Sequence, residues 1–298
     1  MNLRFDGKVG LVTGAGAGMG RRYALELARR GASVVVNDLG GAVHGAGSDP
    51  SVAMRVVDEI VAAGGYAVPS THSVATRDGG RAIVETALDA FDRVDILINN
   101  AGIWRTQPFA EFDFAALDAM IDVHLKGAFH VGVPAYQAMQ SAGGGRIVNV
   151  SSNAMFGVAA HASYAAAKAG LIGLTRVLAV EGAEHRISAN AIMPVAATRM
   201  SEDYLGTLAE SLSPDFVVPT VCWLAHHDCP ATGEIYAVGG GRVARVFLAE
   251  TPGWTHTSVA SHDVEAVRTH FEDIHDETGY AVPRTAEDDM ATLVQAIS

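Results

Sequence analysis

Lysine is almost missing from this sequence: Lys8, Lys126 and Lys168 are the three among 298 residues. Acidic residues outnumber basic ones 33 to 21, for a formal net charge of −12. A nucleic-acid binder gathers a basic face, so that class is set aside. Any anionic ligand would have to meet a few cations collected in one place. Cysteine is just as sparse. Cys222 and Cys229 cannot build a disulfide framework, which fits a reducing compartment. No apolar run approaches the roughly 18 residues of a membrane span, so no membrane partner is expected. The first residues, MNLRFDGK, lack an apolar signal core, and the final Ala-Ile-Ser is not a Ser-Lys-Leu peroxisomal address. These absences point to a soluble cytoplasmic protein. Hydrophobic residues make up 49% and charged ones only 18%, which excludes a disordered chain. The length suffices for one large core or two small ones.

What is there centres on residues 151–168, SSNAMFGVAAHASYAAAK. Tyr164 and Lys168 stand four apart in an Ala-rich run that continues with apolar Ala169, Ile172 and Leu178, and the pattern predicts a long helix. Residues four apart share a helix face, so a phenol and an ammonium can meet one site. Ser151 follows the run Arg146–Val150, which predicts a buried strand with Ser151 at its carboxyl end. Ligands of open α/β sheets bind there. A tyrosine normally titrates near ~10, and a nearby cation lowers that value toward the working range of a proton-transfer catalyst. Lys168 is expected to supply that cation, while Ser151 hydrogen-bonds the substrate oxygen. The set suits hydride exchange at a carbon bearing a hydroxyl or ketone.

A second motif opens the chain. Lys8–Thr13 predicts a strand, TGAGAGMG follows it, and a helix follows that. Gly14, Gly18 and Gly20 permit a tight turn, close approach of pyrophosphate, and a helix N-terminus aimed at the phosphates. Ser33–Asp38 predicts the second strand. Asp38 ends it at the spacing of a carboxylate that meets the adenosine ribose hydroxyls. Such a carboxylate repels the extra phosphate of NADP, which favours NAD. Further strands are expected at 66–70, 94–99, 187–194 and 232–239, and helices at 51–63, 78–91, 114–138 and 215–225. The long helix at 114–138 is expected to be interrupted near Gly132 and Pro134. This alternation of strand and helix predicts an α/β fold, a doubly wound Rossmann-type parallel sheet with helices on both faces.

Together these residues resemble the short-chain dehydrogenase/reductase family, whose Ser-Tyr-Lys triad matches Ser151, Tyr164 and Lys168. The resemblance spans residues 6 to about 241. It implies an NAD cofactor held by Gly14, Gly18, Met19, Gly20, Asp38, Leu39, Ser73, Val74, Asn100, Ala101, Gly102, Tyr164, Lys168 and Thr198. Met19 replaces the family's usual Ile. Ala17 and Leu39 stand where NADP-using members often carry Arg or Lys. His72 stands where an Asp usually bonds the adenine amino group. His124 replaces an Asn that anchors a proton-relay water, and it reads equally as a fourth catalytic residue or as a packed core histidine. Residues 199–213 correspond to a substrate lid. Gly40–Pro50 is longer than the family's usual connection.

Val36–Gly41, Asn100–Arg105, Val123–Gly127, Ala179–Gly182 and Thr198–Met200 carry a narrower resemblance, to the (3R)-hydroxyacyl-CoA dehydrogenase regions of peroxisomal multifunctional enzymes. It extends past residue 241. The expected organisation is a catalytic domain over 1–242 and a packed extension over 243–298 with one helix at 263–275. The implied substrate is an acyl-CoA thioester. In so acidic a chain Arg242 and Arg245, close together after the last strand, and Arg199 at the lid are candidate partners for its phosphates; the other reading is that they are solvated or paired with acidic neighbours such as Glu202 and Glu250. The alternatives are a dehydrogenase of a steroid or another free secondary alcohol, and a catalytically silent NAD-binding scaffold. Members of the family associate through their long helices, so a homodimer or homotetramer is expected. No metal is expected: Cys222, His226, His227 and Cys229 match no common zinc spacing and read as buried cysteines beside surface histidines.

Overall fold

Short apolar runs bounded by glycine or polar residues become the strands. In the computed structural model, which describes residues 3–198, 206–256, 258–259 and 262–297, β1 is Val9–Thr13, β2 Ser33–Asn37, β3 Tyr66–Ser70 and β4 Ile96–Asn99. β5 is Gly145–Val150, β6 Ile187–Pro194, β7 Ile235–Gly239 and β8 Arg242–Val246. They form one sheet in the order β3-β2-β1-β4-β5-β6-β7-β8. The first seven are mutually parallel. Such strands are covered on both sides, and the sequence obeys that rule. Val34 and Val36 join one apolar cluster and Val35 the other; Ile96 and Ile98 split from Leu97 in the same way. Each side chain of this kind contributes about 1.5–3 kcal/mol when fully buried.

The helices lie over both faces. α1 (Gly18–Arg29), α2 (Ser51–Ala62) and α7 (Val218–Leu224) supply Tyr23, Leu27, Val56, Ile60 and Val221 to the first cluster. α3 (Arg77–Phe91) and α5 (Gly127–Ala142) supply Ile83, Val84, Val131 and Met139 to the second. α4 is Phe114–Ile121 and α6 is Ala162–Gly182. The expected break near Gly132 and Pro134 does not occur there: both lie inside α5. The irregularity comes earlier, as a π-helical turn over Asp122–Lys126 that carries His124. A π turn widens the hydrogen-bond ring by one residue and leaves no mark in composition.

α6 is locked to the sheet by a chain of buried side chains. Asn99 Nδ2 donates to Asn149 Oδ1 at 2.9 Å, Asn149 Nδ2 donates to Thr175 Oγ1 at 2.9 Å, and Thr175 Oγ1 donates to the Leu171 carbonyl at 2.7 Å. All three of these side chains are buried. Buried polar groups of this kind are costly to leave unpaired, so the chain fixes how α6 is rotated over β4 and β5.

The chain divides into units over residues 1–245 and 246–298. β7 leads into β8 through Gly240 and Gly241, both at positive φ (55° and 79°). A two-residue connection of that kind joins antiparallel strands. In the second unit, α8 is Val264–Thr269, α9 Phe271–His275 and α10 Ala286–Ile297. The single helix expected at 263–275 is therefore two, separated at His270, and α10 was not foreseen. Trp254 stacks on His270 at 4.4 Å, and Glu250 bridges Ala281 through two backbone hydrogen bonds. Val264 and Phe271 are exposed.

Cys222 and Cys229 are free and buried. His226, expected at the surface, is buried as well. Its Nε2 lies 3.1 Å from the Arg4 carbonyl and its Nδ1 accepts from the Asp228 N–H. Among the described residues, no helix is long and apolar enough to cross a membrane.

Candidate active site

Strand order reverses between β1 and β4, which both hydrogen-bond on either side of the sheet's centre. A crevice opens there, outside the carboxyl ends of the strands, where open α/β sheets bind ligands. It is a cavity of about 580 Å³, within the range of small-molecule sites. Every residue expected to hold the cofactor or to carry the proton lies on its wall except Gly20. A Cβ at Gly20 would sit 2.1 Å from the Gly14 carbonyl oxygen. Gly20 therefore lets α1 close onto the turn from behind.

One end of the cavity is built for an anion and a diol. Ala17 gives α1 no side-chain cap, which leaves first-turn N–H groups for a ligand. Asp38 Oδ2 accepts from the Gly16 N–H at 2.8 Å, and Oδ1 from the Gly40 N–H at 2.7 Å. A carboxylate has about four acceptor positions, so two remain for hydroxyl donors. Leu39, His72, Ser73 and Val74 continue the wall. These groups fit a dinucleotide: backbone donors for phosphates, a carboxylate for a ribose, and an apolar slot for a base. Asn100 plays a supporting part. Its Nδ2 donates to the carbonyls of Thr13 and Gly14 at 2.9 and 3.0 Å, which joins the β1 and β4 turns. Thr198 lies beside the Gly18 turn.

The other end carries the reactive groups. α6 begins at Ala162, which puts Tyr164 in its first turn and Lys168 one turn on, both on the buried face. Ser151 Oγ donates to the Lys168 carbonyl at 2.7 Å, and Lys168 Nζ donates to the Val150 carbonyl at 2.6 Å. Ser151, Tyr164 and Lys168 are thus brought together, but the electrostatics differ from expectation. Burial raises the Tyr164 hydroxyl above its usual pKa, and a hydrogen bond with Ser152 pulls against that. Lys168 Nζ is 5.6 Å from the Tyr164 ring centroid, and the net direction is still upward. Burial instead brings Lys168 itself down to about 7. The expectation considered the cation and omitted the desolvation of both partners.

His124 is buried, with its ring edge-on to Tyr164 at 5.1 Å. Its Nε2 lies 2.8 Å from the Ile103 carbonyl and 3.1 Å from the Ile103 N–H. Among the described residues its Nδ1 has no hydrogen-bond partner. Burial, and then the charge of Lys168, hold His124 well below its ordinary pKa, so it is neutral at neutral pH. Gly102 makes its place: a Cβ there would lie 2.6 Å from His124 Cε1. Behind the ring is a cavity of about 10 Å³ lined by Thr13, His124 and Lys168 among others. That is the size of one water.

Three residues on this wall escaped the sequence reading. Ser152 meets the Tyr164 hydroxyl; Trp104 meets its ring edge-on, and His161 meets Trp104. The doubled serine and the histidine just before the helix were the available signals. The reverse holds for the arginines. Arg245 pairs with Glu234 at 2.6 Å, and neither Arg242 nor Arg245 is on the cavity wall. β8 carries both at the sheet edge. Arg199 and the first part of the expected lid lie outside the described residues; Gly206–Ser211 is a 3₁₀ turn.

The short chain dehydrogenase family profile matches residues 8–206, and the chain belongs to that family. It is an oxidoreductase that works with a nicotinamide dinucleotide. The chain is 41% identical over 298 residues to the peroxisomal multifunctional enzyme type 2 of Mus musculus, which covers 99% of this chain and 40% of that protein. The structure of the full-length Drosophila melanogaster enzyme of the same name matches 99% of this chain and 50% of its own, with a TM-score of 0.83 and 32% identity. This chain therefore spans half or less of these relatives. A 7α-hydroxysteroid dehydrogenase complexed with NADH and 7-oxo glycochenodeoxycholic acid matches 80% of this chain and 96% of its own, with a TM-score of 0.72 and 29% identity.

Proposed function

We propose that this protein is an NAD-dependent 3-hydroxyacyl-CoA dehydrogenase. Two lines support it: the similarity to the mouse enzyme over 99% of the chain, and the hydroxyacyl-CoA dehydrogenase motifs quoted from the sequence. Asp38 on the cavity wall, with Leu39 and Ala17 in place of cations, supports NAD over NADP.

The bound nicotinamide supplies a hydride acceptor. The protein's residues manage the proton. Ser151 Oγ hydrogen-bonds the substrate oxygen, and the Tyr164 hydroxyl exchanges the proton with it. Lys168, with a pKa near the working pH, takes the proton onward. His124, neutral and with an Nδ1 that has no hydrogen-bond partner among the described residues, holds a water in the small cavity it lines. Exposed Phe129 and Val133 on α5 and Val177 and Val180 on α6 support a homodimer or homotetramer through these helices. Two unpaired buried cysteines support a reducing compartment such as the cytoplasm.

A second reading, a dehydrogenase of free steroid alcohols, draws on the match to the 7α-hydroxysteroid dehydrogenase. The deciding experiment is a turnover screen of 3-hydroxyacyl-CoA esters, the corresponding free hydroxy acids and steroid alcohols, with NAD and NADP in parallel. The proposal requires kcat/KM to be highest for a CoA ester with NAD. A steroid alcohol that outcompetes every CoA ester would replace it with the second reading.

A further inference from the structure

The long Gly40–Pro50 connection has an unexpected attachment. Its neck is closed where the Asp49 N–H donates to the Leu39 carbonyl at 3.0 Å. Its body is bonded to itself where the Ala42 N–H donates to Ala46 and the Gly45 N–H to Ala42, both at 2.8 Å. Its tip crosses the cavity wall and is fastened to the segment after β4. The Trp104 N–H donates to the Val43 carbonyl at 2.9 Å. His44 Nδ1 lies 2.8 Å from the Trp104 carbonyl, so that nitrogen carries the proton. Arg105 Nε and Nη2 both donate to the His44 carbonyl, at 3.2 and 3.0 Å. The Trp104 main chain is thus held from both sides by a strap rooted at Asp38.

The Trp104 side chain reaches inward. Its ring meets Tyr164 at 5.0 Å and 67°, and His161 at 4.8 Å and 60°. His161 is in turn fixed by a 2.6 Å contact between Nδ1 and the Ala159 carbonyl. Tyr164 also meets His124 edge-on at 5.1 Å. The phenol thus touches two aromatic rings in the edge-to-face geometry such pairs prefer. Its hydroxyl is the far end of a long side chain, so a small tilt of the ring moves the reacting oxygen a long way.

We infer that Trp104 is a positioning residue for Tyr164, and that the Val43–His44 strap holds Trp104 for that task. This rests on the role given to Tyr164 above. It also links the two ends of the cavity through one path of hydrogen bonds and a final ring contact. The path runs from Asp38 through the strap to Trp104 and on to the Tyr164 ring.

The test compares Trp104→Ala, Trp104→Phe, His44→Ala and the double Trp104→Ala/His44→Ala with wild type, on the best substrate found. NADH affinity by fluorescence titration and the melting temperature report on folding. Trp104→Ala is expected to lower kcat about 10- to 100-fold, the range of an ångström-scale misplacement, with NADH affinity kept. Its kcat/KM profile should also move to lower pH by about half a unit, because water reaches a phenol that burial had raised. Trp104→Phe keeps an aromatic edge and should recover to within about threefold of wild type. His44→Ala removes one hydrogen bond and should cost about threefold. The double variant should be no worse than Trp104→Ala alone, because the strap acts through the indole. A Trp104→Ala enzyme that changes only KM, with an unmoved pH profile, overturns the inference, since Trp104 would then be a substrate wall. Additive losses in the double variant overturn the part given to the strap. Tyr164→Phe serves as the control: if it retains full turnover, the role of Tyr164 fails. A dead Tyr164→Phe beside a fully active Trp104→Ala sinks only the positioning claim.

Discussion

Lys168 can be removed to measure what its burial costs. The residue is 4% exposed, and its pKa falls from 10.5 to about 7 on folding. Methionine keeps most of the apolar stem and drops the charge. The unfolded chain holds the lysine proton up to about pH 10.5, and the folded chain releases it near 7. Between those values the folded state binds fewer protons, so wild-type stability rises with pH across that window. At low pH the cost is full. The fall in pKa, at about 1.4 kcal/mol per tenfold change, puts it on the order of 5 kcal/mol. At pH 7 about 4 kcal/mol remains, because half the lysines are already neutral. Against this, methionine loses the hydrogen bond to the Val150 carbonyl and strands that acceptor, at about 1–3 kcal/mol. Lys168→Met should therefore be the more stable protein at pH 7 by on the order of 2 kcal/mol, several degrees in Tm. By pH 9 the wild type has recovered about 2 kcal/mol and the two should melt together. Turnover should be lost in the variant at both values. Paired denaturation curves at pH 7, 8 and 9 check this, and groups common to both proteins cancel in the difference. A variant less stable than wild type at pH 7, or a gap that ignores pH, refutes the reasoning.

Two substitutions test the rest of the cavity. Gly102→Ala puts a methyl group 2.6 Å from His124 Cε1; with Nε2 held by Ile103 the ring must move, and kcat should fall about 10- to 100-fold while NADH still binds. A kcat within threefold of wild type would separate His124 from the reaction. Asp38→Ala removes the carboxylate that holds the Gly16 and Gly40 N–H groups, so the NAD/NADP ratio of kcat/KM should drop at least about tenfold, the worth of one charged contact. An unchanged ratio means that specificity is set elsewhere.

The strands and the glycine turn were legible because local signals agreed. Ser33–Asn37 is apolar on both faces and is bounded by Gly31 and Asp38, so the residues themselves exclude a helix. Tyr164 and Lys168 were legible from helical spacing taken together with Ser151 after a strand and the glycine motif at the N-terminus. The π turn at Asp122–Lys126 was not, because it is a shift in backbone pairing rather than a composition. The state of Tyr164 was missed for a different reason. Proximity of a cation can be read from spacing, but the burial of both groups depends on strands and loops distant in sequence. Arg242 and Arg245 were assigned by charge density. The Gly240–Gly241 turn then directs them along an edge strand, where Arg245 meets Glu234.

The chain from Asn99 through Asn149 to Thr175 bears on how such an enzyme changes its substrate. It clamps the reacting helix to the middle of the sheet through buried groups. Other cavity walls lie on separate segments: 40–50, 103–105 and 153–161. By the inference above, Val43, His44, Trp104 and His161 also bear on the Tyr164 ring, so those positions belong with the clamp. An engineer who wants a new alcohol should alter 153–158 and leave the strap, Trp104 and the asparagine–threonine clamp alone.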